Sequence, residues 1–156
     1  MGSTEYGMKN KYFAHKVTTA FGTFDSRLEM RRFLYLKDLE SKGKISNLRK
    51  QVTYEIIPKQ TYIEVVQLKT KTKKVEKVLE QAAEYTADFV YKLPDGTEIV
   101  EDVKSKATRE ARDYPLRRKL MRLHGYMFYE VSNATDPIPT NPKVSVSTDI
   151  LLTNCQ

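Results

Sequence analysis

The chain holds a single cysteine, Cys155, close to its C-terminus. One thiol excludes an intramolecular disulfide and any cysteine-based metal site. Histidine is almost as scarce. His15 and His124 read as surface or helix-end residues rather than ligands, and a helix C-terminus favours an imidazole through its dipole. No apolar run reaches the length of a membrane span, and no signal-peptide pattern is present. The expectation is a cytoplasmic protein with no membrane partner. Acidic residues are the other shortage: 20 against 27 basic ones, for a formal net charge of +7 and a pI near 9.4. That balance favours a polyanionic partner, nucleic acid being the commonest soluble one, because each neutralised phosphate releases counterions. A soluble protein that is merely basic is the plain alternative, and charge alone does not separate the two. With 40% hydrophobic residues in 156, the length suits one globular domain with a core.

The most informative stretch is 85–104, Tyr-Thr-Ala-Asp-Phe-Val-Tyr-Lys-Leu-Pro-Asp-Gly-Thr-Glu-Ile-Val-Glu-Asp-Val-Lys. Two β-rich runs flank Pro94-Asp95-Gly96, whose residues suit a tight turn, so the stretch predicts a hairpin. If the turn centres on Asp95, residues equidistant from it face each other, and Asp88 faces Asp102 with Cβ atoms about 5 Å apart. Period 2 then puts Lys104 on the face of Asp102, with Glu101 and Val103 on the other. A two-residue turn would put the aspartates on opposite faces, so this register needs a three-residue connection with Gly96 left-handed. Two facing carboxylates repel unless a divalent cation lies between them, with an ammonium beside it. An oxygen-only ligand set selects Mg²⁺ or Mn²⁺.

Around the hairpin the chain alternates helix and strand signals. Residues 1–19 are polar and basic (Lys9, Lys11, Lys16), an extended arm that either touches phosphate or is disordered. Phe21-Gly22-Thr23-Phe24 reads as a short strand or turn. Ser26-Arg27-Leu28-Glu29 fits a capping box, and Leu28, Phe33, Leu36 and Leu39, with Met30 and Tyr35, give the helix a mostly apolar side. Arg27, Arg31, Arg32 and Lys37 populate its other side, and Ser41-Lys42-Gly43 ends it. A strand follows over 51–58, closed by Pro58, and another β-rich run over 61–68, then a cationic Lys/Thr turn over 69–74. Residues 75–83 fit a helix by spacing or the first half of a long strand by continuity. Asp113-Tyr114-Pro115 predicts a second helix, capped by Asp113, with Leu116, Leu120 and Leu123 buried. Residues 126–131 read as a further strand, and 132–156 as a loose tail with a terminal strand over 144–152. This order suits a mixed sheet with helices packed on it.

The run Phe24-Asp25-Ser26-Arg27-Leu28-Glu29, followed by Tyr85 to Tyr91 and by Glu101-Asp102-Val103-Lys104, resembles the PD-(D/E)XK nuclease superfamily. Within it the chain is similar to small phage and prophage proteins related to Holliday-junction resolvases and TnsA-like endonucleases. The resemblance covers roughly residues 9–131. It implies an α/β (α+β type) fold, a restriction-endonuclease-like mixed β-sheet flanked by helices, as a single nuclease-like domain over 1–131. It implies Asp88 as the first acidic residue, Asp102 and Lys104 as the (D/E)XK pair, and Glu29 as the helix glutamate. The proline of the family's name is absent: Ala87 precedes Asp88. Lys106 becomes a second-rank phosphate contact.

The resulting expectation is a Mg²⁺-dependent (or Mn²⁺-dependent) DNA endonuclease of phage or mobile-element type; a junction-resolving version implies a homodimer. Glu29, Asp88 and Asp102 would hold the metal, and Lys104 would serve the transition state. Arg117, Arg118 and Arg122 would touch the DNA backbone, or form a plain solvated face. Glu29 is either a ligand or only a helix-capping residue. The alternatives are a non-catalytic nucleic-acid-binding protein or a phage assembly protein retaining the fold.

Overall fold

The computed structural model describes residues 16–104 and 113–140. Its first helix, α1 (Arg27–Ser41), begins where the capping box lies. Ser26 is extended and its Oγ accepts from Glu29 N–H at 3.1 Å, while the Glu29 carboxylate accepts from Asp25 N–H at 3.2 Å and Ser26 Oγ–H at 3.0 Å. Four orphan donors open every helix, and these contacts satisfy part of that need. The helix stops at Gly43, left-handed at φ +66°, with Lys44 N–H reaching Leu39 O and Gly43 N–H reaching Glu40 O. Those two bonds are the Schellman pattern, which a Cβ-free residue accommodates without strain.

The central sheet has the order β3 (Ser46–Ile57), β6 (Ala83–Lys92), β7 (Glu98–Val103), β8 (Met127–Val131). β3–β6 and β6–β7 are antiparallel and β7–β8 is parallel. The β7–β8 crossover runs through α2 (Tyr114–Leu123). α1 packs Phe33 and Leu36 against Phe24, Phe89, Tyr91 and Ile99 on one face of the sheet. α2 packs Tyr114 and Met121 against Tyr85, Ala87, Val90, Val100 and Phe128 on the other. The fold is thus a mixed sheet flanked by helices, as expected. β1 (Val17–Thr19) and β2 (Gly22–Phe24) form a small hairpin before α1. β4 (Gln60–Gln67) and β5 (Thr72–Glu80) form a separate two-stranded ribbon. No described helix is long and apolar enough to cross a membrane.

Several expectations need correction. Residues 75–83 are not helical: β5 covers most of them, and β6 begins separately at Ala83. Their helical spacing is overridden by antiparallel pairing with β4, in which Val75 meets Glu64 and Val78 meets Thr61. In α2 the inner face is Tyr114, Arg118 and Met121, whereas Leu116 and Leu123 are exposed and Leu120 is only partly buried. Positions 114, 118 and 121 have the same spacing as 116, 120 and 123, so periodicity cannot choose between them. The tertiary contact that chooses is Arg118 Nη1 to Glu130 on β8, at 3.0 Å. Asp113 occupies the N-cap position in a helical conformation, and its side chain makes no capping bond. His124 ends α2 and ties it to the sheet through Nε2 and Ile56 O, 2.8 Å apart.

Arg32 departs furthest from expectation. It sits fully buried, not on the polar side of α1. Its guanidinium grips Glu101 bidentately, Nε to Oε1 at 2.6 Å and Nη2 to Oε2 at 2.7 Å, and Tyr91 Oη donates to the same carboxylate at 2.9 Å. Arg32 Nη1 also donates to Ala134 O and Asp136 O. Residues 132–140 are therefore held to the core rather than loose, with Ile138 packed on the α1-side cluster. The expected strand over 144–152 lies outside the described residues.

Removing one partner of a buried ion pair strands the other charge. Arg32→Ala or Glu101→Ala is therefore expected to cost about 3–5 kcal/mol in urea unfolding. The apolar double variant Arg32→Met/Glu101→Leu should lose much less than the sum of the two.

Candidate active site

The site is built on the β6–β7 hairpin. Phe89 pairs with Glu101, Val90 with Val100, Tyr91 with Ile99 and Lys92 with Glu98, the register centred on Asp95. Leu93 N–H closes the loop on Thr97 O at 2.9 Å, and Gly96 is left-handed at φ +87°. The connection is the three-residue one that places Asp88 and Asp102 toward each other. Just past the last ladder pair, Asp88 Oδ2 accepts from Val103 N–H at 2.8 Å.

A second irregularity shapes the same place. Ala87 packs on the α2 side of the sheet and Phe89 on the α1 side, although both are odd-numbered positions of one strand. Alternation breaks at Asp88. Its neighbour on β3 is Gln51, a non-glycine residue at φ +51°, and Gln51 Nε2 donates to Asp88 Oδ1 at 3.3 Å. A left-handed conformation at such a residue costs about 1–2 kcal/mol. Backbone strain of this kind collects at functional sites.

Asp102 is fully buried. Its Oδ2 accepts from Tyr114 Oη at 3.1 Å and lies 3.1 Å from Lys104 Nζ. Its Oδ1 is buried without a close hydrogen bond, although the Tyr85 phenol, raised first by burial, lies near enough to Asp102 for the carboxylate to raise it further. The Lys104 backbone N–H donates to Val131 O at 2.9 Å, extending the β7–β8 pairing by one residue and fixing where its side chain starts. Burial, then the charge of Asp102, pushes the Asp88 carboxyl well above the usual range, and the pull of Lys104 does not undo this. Burial draws Lys104 down, but the charges of Asp102 and Asp88 outweigh it, and the net direction is up. Lys104 is therefore held as an ammonium. Burial, then Asp102, also raises the Tyr114 phenol, which stays a hydrogen-bond donor.

Two clefts reach this cluster. One, of about 330 Å³, is lined by Glu29, Gln51, Asp88, Lys16, Asp25 and Lys50. The other, of about 430 Å³, is lined by Lys104, Tyr114 and Arg117. The expected residues are placed as follows. Asp88, Asp102 and Lys104 come together. Glu29 shares the first cleft with Asp88, buried and raised mainly by that burial, but both its oxygens serve the cap of α1. Arg117 lies in the second cleft, with Nη1 on Glu84 O at 3.3 Å. Arg118 turns inward to Glu130, so the three arginines do not form one phosphate-facing surface. Arg122 is exposed on α2. Lys106 lies outside the described residues. Gln51 and Tyr114 were not legible as site residues. Gln51 carries no sequence signal beyond its place before a β-alternation, and Tyr114 reads only as a helix start.

Among the described residues no three His, Cys, Asp or Glu side chains converge as a ready metal-ligand set. A fit to Mg²⁺ does not require one, because this ion is commonly held by one or two carboxylates plus phosphate oxygens and water. The orphaned Asp102 Oδ1 beside an Asp88 of raised pKa is the arrangement that a divalent cation relieves.

Asp88→Asn keeps an acceptor for Val103 N–H while removing the charge. Because Asp88 is raised on folding, the folded state binds more protons there, and the cost of its charge grows as pH climbs from the ordinary carboxylate range through the raised value. Without metal, Asp88→Asn should melt above wild type at pH 8, by about 3 °C per kcal/mol of repulsion removed. The two should converge near pH 4. Mg²⁺ should raise the melting temperature of wild type and not of the variant, as read by calorimetry.

A family model described as "Protein of unknown function (DUF1064)" matches residues 9–135, an interval containing Glu29, Gln51, Asp88, Asp102, Lys104 and Tyr114. No curated protein and no solved structure matches the chain. The match spans well over half of the chain, which therefore belongs to the DUF1064 family.

Proposed function

We propose that this protein is a Mg²⁺-dependent (or Mn²⁺-dependent) DNA endonuclease of the PD-(D/E)XK type. The observation that carries the reading is the convergence of Asp88, Asp102 and Lys104 in one buried spot, with Asp102 Oδ1 unpaired. Asp88 and Asp102 would hold the metal, and Glu29, in the same cleft as Asp88, is the candidate third ligand. When bound, the ion supplies Lewis-acid stabilisation of a phosphodiester under in-line attack by water.

The chain's own residues do the rest. Lys104, an ammonium beside Asp102 in the metal-free site, is placed to offset negative charge growing on the phosphoryl oxygens. Tyr114 orients Asp102 through its 3.1 Å hydrogen bond and lies beneath Lys104 Nζ, which sits 5.6 Å from the ring centroid. Gln51 and Val103 N–H hold the two oxygens of Asp88. The second cleft, with Arg117 beside Lys104, suits a phosphate of the DNA backbone. A phage or mobile-element setting and a junction substrate accord with the family resemblance, and the latter would call for a homodimer.

The second reading is a non-catalytic nucleic-acid-binding protein retaining the fold. It draws on Glu29, whose carboxylate is engaged with the helix cap rather than aligned with the aspartates. A cleavage panel separates the two: linear duplex, single strand, flap and four-way junction, each with Mg²⁺ or EDTA. Wild type is expected to cut at least one substrate only with Mg²⁺. Asp88→Ala and Asp102→Ala should abolish cutting while DNA binding persists, and Lys104→Ala should slow it about 10²–10³-fold. A wild-type protein that binds DNA but cuts none of the four substrates in Mg²⁺ or Mn²⁺ would leave the second reading standing.

A further inference from the structure

The β4–β5 ribbon is the part of the described chain with the least support from the rest. Its strands pair with each other over their length and belong to no other sheet. Tyr62, Ile63, Val65, Val78 and Leu79 along its shaft are exposed. Isolated two-stranded hairpins are marginal in water, so a ribbon left bare is a surface in want of a partner.

Its chemistry says which partner. Between Glu64 and Glu76 the chain contains no carboxylate and four lysines, Lys69, Lys71, Lys73 and Lys74, all exposed at or beside the turn. Among the described residues none of the four is ion-paired, while Lys77 lower on the shaft is paired with Glu64. Elsewhere among the described residues, two cations expected to meet phosphate are engaged, Arg118 with Glu130 and Lys16 with Asp25, while Arg122 stays free on α2. The tip carries four exposed, unpaired lysines within six residues. Its repulsion also disfavours tip-to-tip contact between two copies.

Geometry adds direction. The ribbon continues from the Ile57↔Ala83 end of the β3–β6 pair. β7 runs antiparallel to β6, so Asp102 and Lys104 lie toward that same end of the sheet. A strand of eight residues at roughly 3.3 Å each gives an arm of about 26 Å. The major groove of B-DNA, about 12 Å wide, admits a two-stranded ribbon.

We propose that the β4–β5 ribbon is a DNA-gripping arm, its lysine tip contacting backbone phosphates some distance from the bond held at Asp88 and Asp102. It rests on the nuclease reading for the choice of DNA as polyanion. Four phosphate contacts contribute electrostatic, sequence-independent affinity and position the duplex without reading bases.

The test is equilibrium binding of a fluorescein-labelled 30-base-pair duplex and a four-way junction, in EDTA, across a salt series. The quadruple variant Lys69→Gln/Lys71→Gln/Lys73→Gln/Lys74→Gln is compared with wild type, and circular dichroism checks that it folds. Expected are affinity at least tenfold weaker at low salt and a plot of log K against log salt shallower by about 3.6 for four lost contacts at about 0.9 each. An unchanged slope overturns the arm and leaves the nuclease reading intact if wild type still cuts with Mg²⁺. Wild type that binds but does not cut, with the slope lost in the variant, supports the arm and counts against the nuclease. Wild type that does neither overturns both. Ile63→Asp/Val65→Asp, run by sedimentation velocity, covers the remaining occupant. If that variant turns a wild-type dimer into monomers while the lysine variant binds DNA normally, the ribbon is a contact between copies and the proposal falls.

Discussion

Two successive carboxylates, Glu101 and Asp102, are both fully buried, on opposite faces of β7. Burying a charge is costly unless it is paired and hydrogen-bonded, and the two strand faces solve the problem differently. On the α1 side, Glu101 receives a bidentate guanidinium and a phenol, and the need is met inside the fold. On the α2 side, Asp102 has one oxygen served by Lys104 and Tyr114, while the other makes no close hydrogen bond. The neighbouring Asp88 adds repulsion rather than relief. One face is electrostatically complete, and the other is not. The proposed nuclease reading rests on that contrast between two adjacent residues.

The surrounding fold serves the same contrast. The Arg32–Glu101 pair ties α1 to the middle of the sheet and holds residues 132–140 through two backbone carbonyls. It thereby stiffens the strand that carries Asp102. The break in alternation at Asp88, opposite a left-handed Gln51, lets one strand bury side chains in both cores and still present a carboxylate at the junction. Tyr114, at the start of α2, links the second helix to the same carboxylate. β7 and α2 thus meet at Asp102, which is fully buried, while Asp88 lines one neighbouring cleft and Lys104 the other.

The proposed arm extends this arrangement outward. The arginine of the central sheet, Arg49, is paired with Glu98, and Arg118 on α2 is paired with Glu130. The excess positive charge of the chain resides partly in a ribbon that contributes nothing to the core.

Local rules determined a good deal. The capping box at Ser26 and the Schellman stop at Gly43 follow from bonds within one turn of chain, so α1 was legible to its ends. The Pro94-Asp95-Gly96 turn was legible as a hairpin, but two loop lengths fitted it, and the folded chain takes the three-residue one with Gly96 left-handed. What only the tertiary structure decided were choices between locally equivalent options. The stripe Tyr114, Arg118, Met121 and the stripe Leu116, Leu120, Leu123 have the same periodicity, and Glu130 on a different element selected the first. Residues 75–83 satisfied helix and strand patterns alike until β4 paired with them. Arg32 has the sequence context of a solvated helix residue, and its burial depends on Glu101, 69 positions away. Long-range partners carry no local signature, and so the strained Gln51 and the inward arginines were invisible until the chain was folded.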